Sequence, residues 1–123
     1  MKAISLHQPW ASWIAEGKKT IETRFWQTHY RGDLLIVSTK KPVYQSLPLG
    51  KALCIVNVVN CRPMIPDDED KAKCGYHPAV WAWELEDIRR IEPFDVKGSQ
   101  GFYEVNYPEE NKHISRQMAL EFE

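Results

Sequence analysis

Residues 17–26, GKKTIETRFW, combine charged and aromatic side chains at a spacing that suits ligand binding. If this stretch is a turn followed by a strand, Glu22, Arg24 and Trp26 share one face, because strand side chains alternate. An arginine guanidinium can hold a phosphate or carboxylate, a tryptophan can stack on a nucleobase, and Lys19 adds a second cation. The same residues also fit a surface ion pair between Glu22 and Arg24, which contributes only about 0–1 kcal/mol.

Catalysis is the alternative use of these residues. Lys19 could act as a base or nucleophile together with Glu22 and with Glu84, which strand alternation places opposite the tryptophans of a later segment as a second acid. A lysine serves as a base near neutral pH only if its pKa falls from about 10.4, and a nearby carboxylate has the opposite effect. Glu22 therefore suits binding better than catalysis, and Glu84 fits an exposed position equally well.

Three further positions can contact a ligand of the same kind. Trp10 can stack on a base, although such a residue more often belongs to a helix core, and His7 can orient a ligand or simply complete a strand edge. Lys97 opens the loop KGSQG, residues 97–101, whose lysine and backbone N–H groups can surround a phosphate. The loop lacks the full phosphate-loop pattern GxxxxGKS/T, so a plain turn is the other interpretation.

The cysteines give no metal or cofactor pattern. Cys54 and Cys61 are seven residues apart in one predicted strand, so they point to opposite faces and cannot readily share an ion. Cys74 and His77 have a ligand-like spacing, but no second pair accompanies them. We predict no metal site and no cofactor. An odd number of cysteines without a CxxC pair also indicates a reducing compartment.

Length and charge narrow the class of protein. The 123 residues predict a single domain over 1–123, because this length can bury a core without disulfides or metals. The net charge of -1 gives no overall basic signature. Residues 1–41, however, carry seven Lys/Arg and three Asp/Glu, a net of +4, while the remainder carries nine and fourteen, a net of -5. No apolar run approaches the roughly 18 residues of a membrane span, so we expect a cytoplasmic protein without a membrane partner.

Hydrophobic periodicity predicts the elements that position the opening motif. Residues 2–8 alternate as a first strand. Residues 9–17 predict a short amphipathic helix that stops at Gly17. Its inward face is expected to consist of Trp10, Trp13 and Ile14. In the strand that follows, Ile21 and Phe25 are expected to point into the core.

The rest of the chain predicts a small α+β domain. Strand patterns occur at 31–40, 51–62, 79–91 and the end of 93–106, and helical patterns at 64–75 and 114–123. Two of these strands are apolar on both faces, as expected in a covered sheet. The count of five or six strands and two or three short helices favours a small mixed β-barrel over a doubly wound parallel sheet.

Two long stretches resemble one known family. SLHQPWASWIAEGKKTIETR, residues 5–24, is similar to the opening of the ASCH domain, and residues 81–105 resemble the family's closing half. The family fingerprint GxKxxExR is met by Gly17, Lys19, Glu22 and Arg24. The resemblance implies a β-barrel related to the PUA fold, a superfamily associated with RNA and modified-nucleotide recognition. It also implies a possible hydrolase, because a short bacterial branch resembles amidohydrolases that act on acetylated cytidine.

Two functions are therefore open. The first is a module that binds RNA or a nucleotide in a polar cleft formed by Lys19, Glu22, Arg24 and Glu84. The second is a metal-independent hydrolase acting on RNA or on a modified nucleoside such as N4-acetylcytidine. In the amidohydrolase branch a catalytic threonine follows the lysine by three residues, and here that position is Glu22. This departure favours binding.

Overall fold

A computed structural model describes residues 1–108 of the chain, which form a six-stranded sheet with short helices. The elements in chain order are β1 (Lys2–Leu6), α1 (Trp10–Ala15), β2 (Ile21–Arg24), β3 (Gly32–Ser38), β4 (Lys51–Pro63), a 3-10 helix (Pro66–Asp68), α2 (Glu69–Ala72), β5 (Trp81–Asp95) and β6 (Tyr103–Glu104). This arrangement confirms the mixed α+β class. The helix predicted over 114–123 lies outside the described residues.

The sheet has the strand order β2-β5-β4-β3-β1-β6 and is open. All neighbours are antiparallel except β1 and β3, which are parallel. Within residues 1–108, β2 and β6 are the two edges, so closure into the expected barrel is not confirmed. A side chain spans from one edge to an inner strand instead: Arg24 Nη2 in β2 donates to the carbonyl of Ser5 in β1 at 2.9 Å.

The central strands are buried on both faces, as their apolar sequences predict. One face, with Ile36, Val56 and Trp83, packs against α1. The other face, with Leu35 and Val37, forms a separate cluster. Adjacent residues of β3 thus enter different cores, which explains why its central residues 34–37 are all apolar.

Helix α1 begins after Gln8, whose side chain accepts from Ser12 N at 2.9 Å and donates to Ser12 Oγ at 2.8 Å. It ends before Gly17, whose φ of +80° is the left-handed conformation that a glycine stop supplies. The buried face consists of Ala11, Ser12, Ile14 and Ala15. The predicted inward face was therefore wrong at Trp10, which is 36% exposed, because the helix packs its small residues against the sheet.

Candidate functional site

Lys19 is a buried lysine that connects three parts of the chain. It is 1% exposed, and its Nζ lies 2.7 Å from the carbonyl oxygen of Ile21, 2.5 Å from that of Ala72 and 3.4 Å from Glu22 Oε1. Gly17 makes this possible by turning the chain after α1. The two carbonyls accept hydrogen bonds from the ammonium group, and the Glu22 carboxylate forms an ion pair with it. Lys19 therefore holds α2 and β2 together and lies in the wall of the site rather than at its mouth.

Glu22 joins the two cations of the motif. It is 6% exposed; Oε1 faces Lys19, and Oε2 accepts from Arg24 Nε at 2.8 Å. Its cross-strand partner is Trp83, so the carboxylate lies on the sheet face that carries that ring. The Glu22–Arg24 pair predicted from alternation is present, but it is buried at the acid and is not the exposed ion pair considered above.

Arg24 is the member of the motif that retains unused donors. Its Nε is bound to Glu22 and its Nη2 to the Ser5 carbonyl, which fixes the guanidinium plane. Within residues 1–108, Nη1 has no protein acceptor. Arg24 is partly exposed and lines a cavity of about 740 Å³. A fixed guanidinium with a free edge is suited to an anionic group or a base edge.

Two tryptophans, Trp10 and Trp26, border the same cavity. Trp26 is 37% exposed and packs edge-to-face against Trp83 and Phe102, with ring centroids 4.8 and 5.2 Å apart. Trp10 donates from Nε1 to the Lys73 carbonyl at 3.1 Å. Both rings are thus held by protein contacts while part of each surface stays exposed, and this suits stacking on a planar ligand. Phe25, expected in the core, is 69% exposed because β2 ends at Arg24.

His7 also lines the cavity, and its ring orientation follows from its neighbours. Its Nδ1 lies 2.9 Å from Thr39 Oγ1, and that hydroxyl donates to the Lys41 carbonyl at 2.8 Å. Because the hydroxyl hydrogen is already used, Nδ1 must be the donor to Thr39. In the neutral imidazole, Nε2 is then the nitrogen that can accept a hydrogen bond. The sequence indicated His7 as a candidate for ligand contact. It did not indicate Thr39, which lies over 30 residues away in the chain.

Glu84 is not part of this cavity, so its predicted place beside Lys19 was wrong. It pairs across the strands with Ile21, and residue 21 points to the opposite face from residue 22. Its Oε2 accepts from Asn60 Nδ2 at 2.8 Å and from Arg62 Nε at 2.9 Å. These hydrogen bonds, that from Asn60 first, hold the pKa of Glu84 below its ordinary value. Glu84 belongs to a charged network that fastens β5 to β4.

Lys97 was also expected in the cleft, but the loop contributes different residues. Ser99, Gln100 and Gly101 line the cavity with Arg24, whereas Lys97 lines a neighbouring one. The lysine is separated from the cleft because β1 lies against the loop: a Cβ added to Gly98 would come within 2.9 Å of Ser5 Oγ. The motif KGSQG predicted the loop's location correctly but not which of its residues enters the cleft.

Two further properties of residues 1–108 bear on ligand class. In this part of the chain no group of three or more His, Cys, Asp or Glu side chains is arranged to hold a metal ion. None of its helices is both long enough and apolar enough to cross a membrane.

The family model of the ASCH domain matches residues 4–122. The chain belongs to the ASCH domain family. This confirms the resemblance carried by residues 5–24 and 81–105.

The chain is similar to Activating signal cointegrator 1 in two mammals. The Homo sapiens protein is 49% identical over 45 residues, which are 36% of this chain and 8% of that protein. The Mus musculus protein is 50% identical over 38 residues, which are 31% of this chain and 6% of that protein. The matches therefore span less than a tenth of the length of these relatives.

Two crystal structures share the fold. The ASCH protein from Zymomonas mobilis has a TM-score of 0.67 at 15% identity, covering 95% of this chain and 94% of that one. A mutant of the same protein has a TM-score of 0.66 at 16% identity, covering 85% and 89%. At such identities the likeness shows the ASCH fold alone.

Proposed function

We propose that the cavity at Arg24 binds RNA or a nucleotide, with Arg24 on a phosphate or base edge and a base against Trp26 or Trp10. The observation that carries the proposal is the Arg24 guanidinium: Glu22 and the Ser5 carbonyl fix it, the residue lines the cavity, and its Nη1 has no acceptor within residues 1–108. Preorganised donors of this kind lose little entropy on binding. Family membership supports the same reading, because the ASCH fold is a proposed RNA-binding fold.

The contacts of Lys19 and Glu22 favour binding over hydrolysis. Lys19 has three protein acceptors around Nζ, and both carboxylate oxygens of Glu22 face protein cations. A base or nucleophile needs a free lone pair directed at the substrate. In the proposed function these two residues position Arg24, and they do not react.

The test is a binding titration with a labelled single-stranded RNA of about ten nucleotides and with mononucleotides. Arg24→Ala should weaken binding by about 1–3 kcal/mol, because it removes the only cation with a free edge among the motif residues described here. Arg31→Ala is the matched control: it removes the same charge from the basic segment 1–41 at a residue outside the cavity wall. Equal losses for the two variants would mean nonspecific attraction and would overturn the proposal.

The aromatic arm of the test uses Trp26. Trp26→Ala should cost a similar amount, about 1–3 kcal/mol, if a base stacks on the ring. Trp26→Phe keeps an aromatic face and should lose less. Because Trp26 also packs on Trp83 and Phe102, urea unfolding of both variants separates lost binding from lost structure.

The hydrolase alternative is tested with the same preparation. Wild-type protein is incubated with N4-acetylcytidine and with RNA in the presence of chelator, and products are followed by chromatography. We expect no turnover. Turnover by the wild type that disappears in Lys19→Ala would replace the binding proposal with the hydrolase.

A further inference from the structure

A second cavity, of about 390 Å³, adjoins the one at Arg24. The two share four wall residues, Ser5, Thr39, Ser99 and Gln100. A ligand can therefore extend from one to the other without leaving the protein surface. Because Lys40 and Lys97 supply its cations, we refer to it as the lysine cavity.

The lysine cavity carries positive charge that no acid of the wall balances. No Asp or Glu lines it, and neither Lys40 nor Lys97 makes an ion pair or side-chain hydrogen bond within the described chain. Asp95 acts on Lys40 only from beyond ion-pair distance, and its Oδ1 is already 2.5 Å from Lys51 Nζ. Two lysines without an ion-pair partner in the wall of one concave space attract an anion.

Neutral donors line the same cavity as the two lysines. The hydroxyl of Ser99, the amide of Gln100 and the backbone N–H groups of residues 98–100 have no acceptor anywhere in residues 1–108, and all belong to the loop that lines the cavity. Gly98 is the residue that lets this backbone lie against β1, since a Cβ there would be 2.9 Å from Ser5 Oγ. Backbone N–H groups of a loop that have no protein acceptor are available to the oxygens of a phosphate.

The position of Lys40 is also built into the fold. Gly50 has a φ of +65°, and a Cβ at this residue would be 2.9 Å from Lys40 Cγ. The absence of that Cβ leaves room for the aliphatic stem of Lys40 along the chain before β4. Lys40 is therefore held at the cavity from one side while Lys97 approaches from the loop after β5.

We propose that the lysine cavity binds a phosphate group of the same ligand whose base occupies the Arg24 cavity. The ligand class is then a nucleotide or oligonucleotide and not a free nucleoside. The inference rests on the proposed function for the place of the base. A terminal monophosphate and an internal phosphodiester share the chemistry that the lysines recognise, and the ligands of the test distinguish them.

The first experiment measures phosphate binding at the lysine cavity, independently of the Arg24 cavity. Inorganic phosphate is titrated into the ¹⁵N-labelled full chain while the amide resonances of Gly98, Ser99 and Gln100 are followed. These resonances should shift in the wild type and in Arg24→Ala, and should not shift in the double variant Lys40→Gln/Lys97→Gln. A wild type whose loop amides do not respond would overturn the phosphate site, whatever the fate of the proposed function.

The second experiment compares four ligands: a nucleoside, its 5′-monophosphate, a dinucleoside monophosphate and a 5′-phosphorylated dinucleotide. Ligands with a phosphate that reaches the lysine cavity should bind about tenfold more tightly than the nucleoside, because charged hydrogen bonds are the strong ones. The double variant should lose that preference, whereas Lys41→Gln, an exposed neighbour outside both cavities, should keep it.

The pattern of losses separates the two proposals. A gain with the 5′-monophosphate identifies a terminal phosphate, and a gain only with the dinucleoside monophosphate identifies a phosphodiester. Equal affinity for all four ligands, still dependent on Arg24, would overturn the phosphate site and keep the proposed function. Loop-amide shifts with phosphate but no effect of Arg24→Ala on any ligand would overturn the proposed function instead. Unchanged melting temperatures of the glutamine variants confirm that they are folded.

Discussion

The carboxylate of Glu22 contacts two cations and so determines where each of them lies. Glu22 directs one oxygen at the buried Lys19 and the other at Nε of Arg24. Lys19 is buried, donates to two carbonyls and pairs with Glu22, so its charge is internal, while Arg24 keeps one edge for a ligand. The fingerprint spacing thus gives a buried lysine bound to protein groups and an arginine that lines the cavity. Glu22, which lies between them in the sequence, holds both side chains in place.

The first prediction concerns the stability of this arrangement. Glu22→Gln should lower the free energy of unfolding by about 3–5 kcal/mol, because it leaves the buried ammonium of Lys19 without its carboxylate. Urea unfolding at neutral pH measures the change. Glu86→Gln, an exposed acid on β5, is the control and should stay within about 0.5 kcal/mol of the wild type. Similar small changes in both variants would show that the network contributes little.

The sequence predicted which residues of the motif lie together, but it did not predict which of them are buried. Alternation correctly placed Glu22 with Arg24, because both lie within the regular part of β2. It failed at Phe25, one residue past the end of that strand. It placed Glu84 opposite Trp83 correctly, but the cleft lies on the Trp83 face, which only the pairing of Glu22 with Trp83 and of Ile21 with Glu84 determines. Local spacing cannot reveal such nonlocal pairing, and the burial of Lys19 depends on the Ala72 carbonyl, over 50 residues away.

Among the elements, the 3-10 helix is fastened to the sheet by one arginine. Arg62 in β4 makes two hydrogen bonds of 2.8 Å to Asp68 and one of 2.9 Å to Glu84 in β5. Asp68 also accepts from Ile65 N at 2.9 Å. The bonds from Arg62 are the largest influence on the pKa of Asp68 and hold it below its ordinary value of 3.8.

The second prediction follows from that lowered pKa. A carboxyl that binds its proton less readily when folded stabilises the protein fully above its unfolded pKa, and this stabilisation is lost as the pH falls through the folded pKa. Asp68→Asn should therefore cost about 2–3 kcal/mol at pH 7, and the difference from wild type should shrink below about pH 4. Urea unfolding at pH 7, 5, 4 and 3 measures it. A difference that stays constant with pH, or an equal effect of the exposed Asp67→Asn, would contradict the assignment.

The third prediction concerns the end of α1. Gly17 has a φ of +80°, and a Cβ at this residue would meet nothing within 4 Å. A side chain here is therefore unfavourable only because of the left-handed backbone conformation. Gly17→Ala should cost about 1–2 kcal/mol for that reason. Gly75→Ala is the matched control, since Gly75 has no positive φ and its Cβ would lie at an ordinary 3.8 Å from Glu69. Melting temperatures of the two variants should differ, and equal values would show that the glycine stop is unimportant.

The positions of the strands could be predicted from the sequence, whereas closure of the sheet into a barrel could not. The doubly buried strands around Leu35 and Val56 were recognisable because residues 34–37 and 52–56 form uninterrupted apolar runs. The pairing of β4 with β5 contains three register shifts, and these irregularities have no signature in the hydrophobic pattern. Whether a sheet closes depends on such shifts and on twist, so the open edge at β2 could not be predicted.

At the scale of the whole molecule, charge is distributed unevenly along the chain. Residues 1–41 carry +4 and the remainder -5. The first segment supplies Lys19 and Arg24 to one cavity and Lys40, one of two lysines, to the other. Lys19 does not add to the positive charge that a ligand meets in the cavity, because Glu22 neutralises it. The cations left for phosphates are Arg24 in one cavity and Lys40 with Lys97 in the other, which is enough for two phosphate contacts.

The last prediction is the salt dependence of RNA binding. Each phosphate contact on a single strand contributes roughly -0.7 to the slope of log K against log salt, so two contacts give about -1.4. Arg24→Ala and Lys40→Gln/Lys97→Gln should each bring the slope to about -0.7, whereas Arg31→Ala and Lys41→Gln should leave it unchanged. Titrations of the same oligonucleotide at four salt concentrations measure these values. A slope steeper than about -3 that none of the cavity variants alters would mean that the basic segment attracts RNA over its whole surface, and that neither cavity is the site.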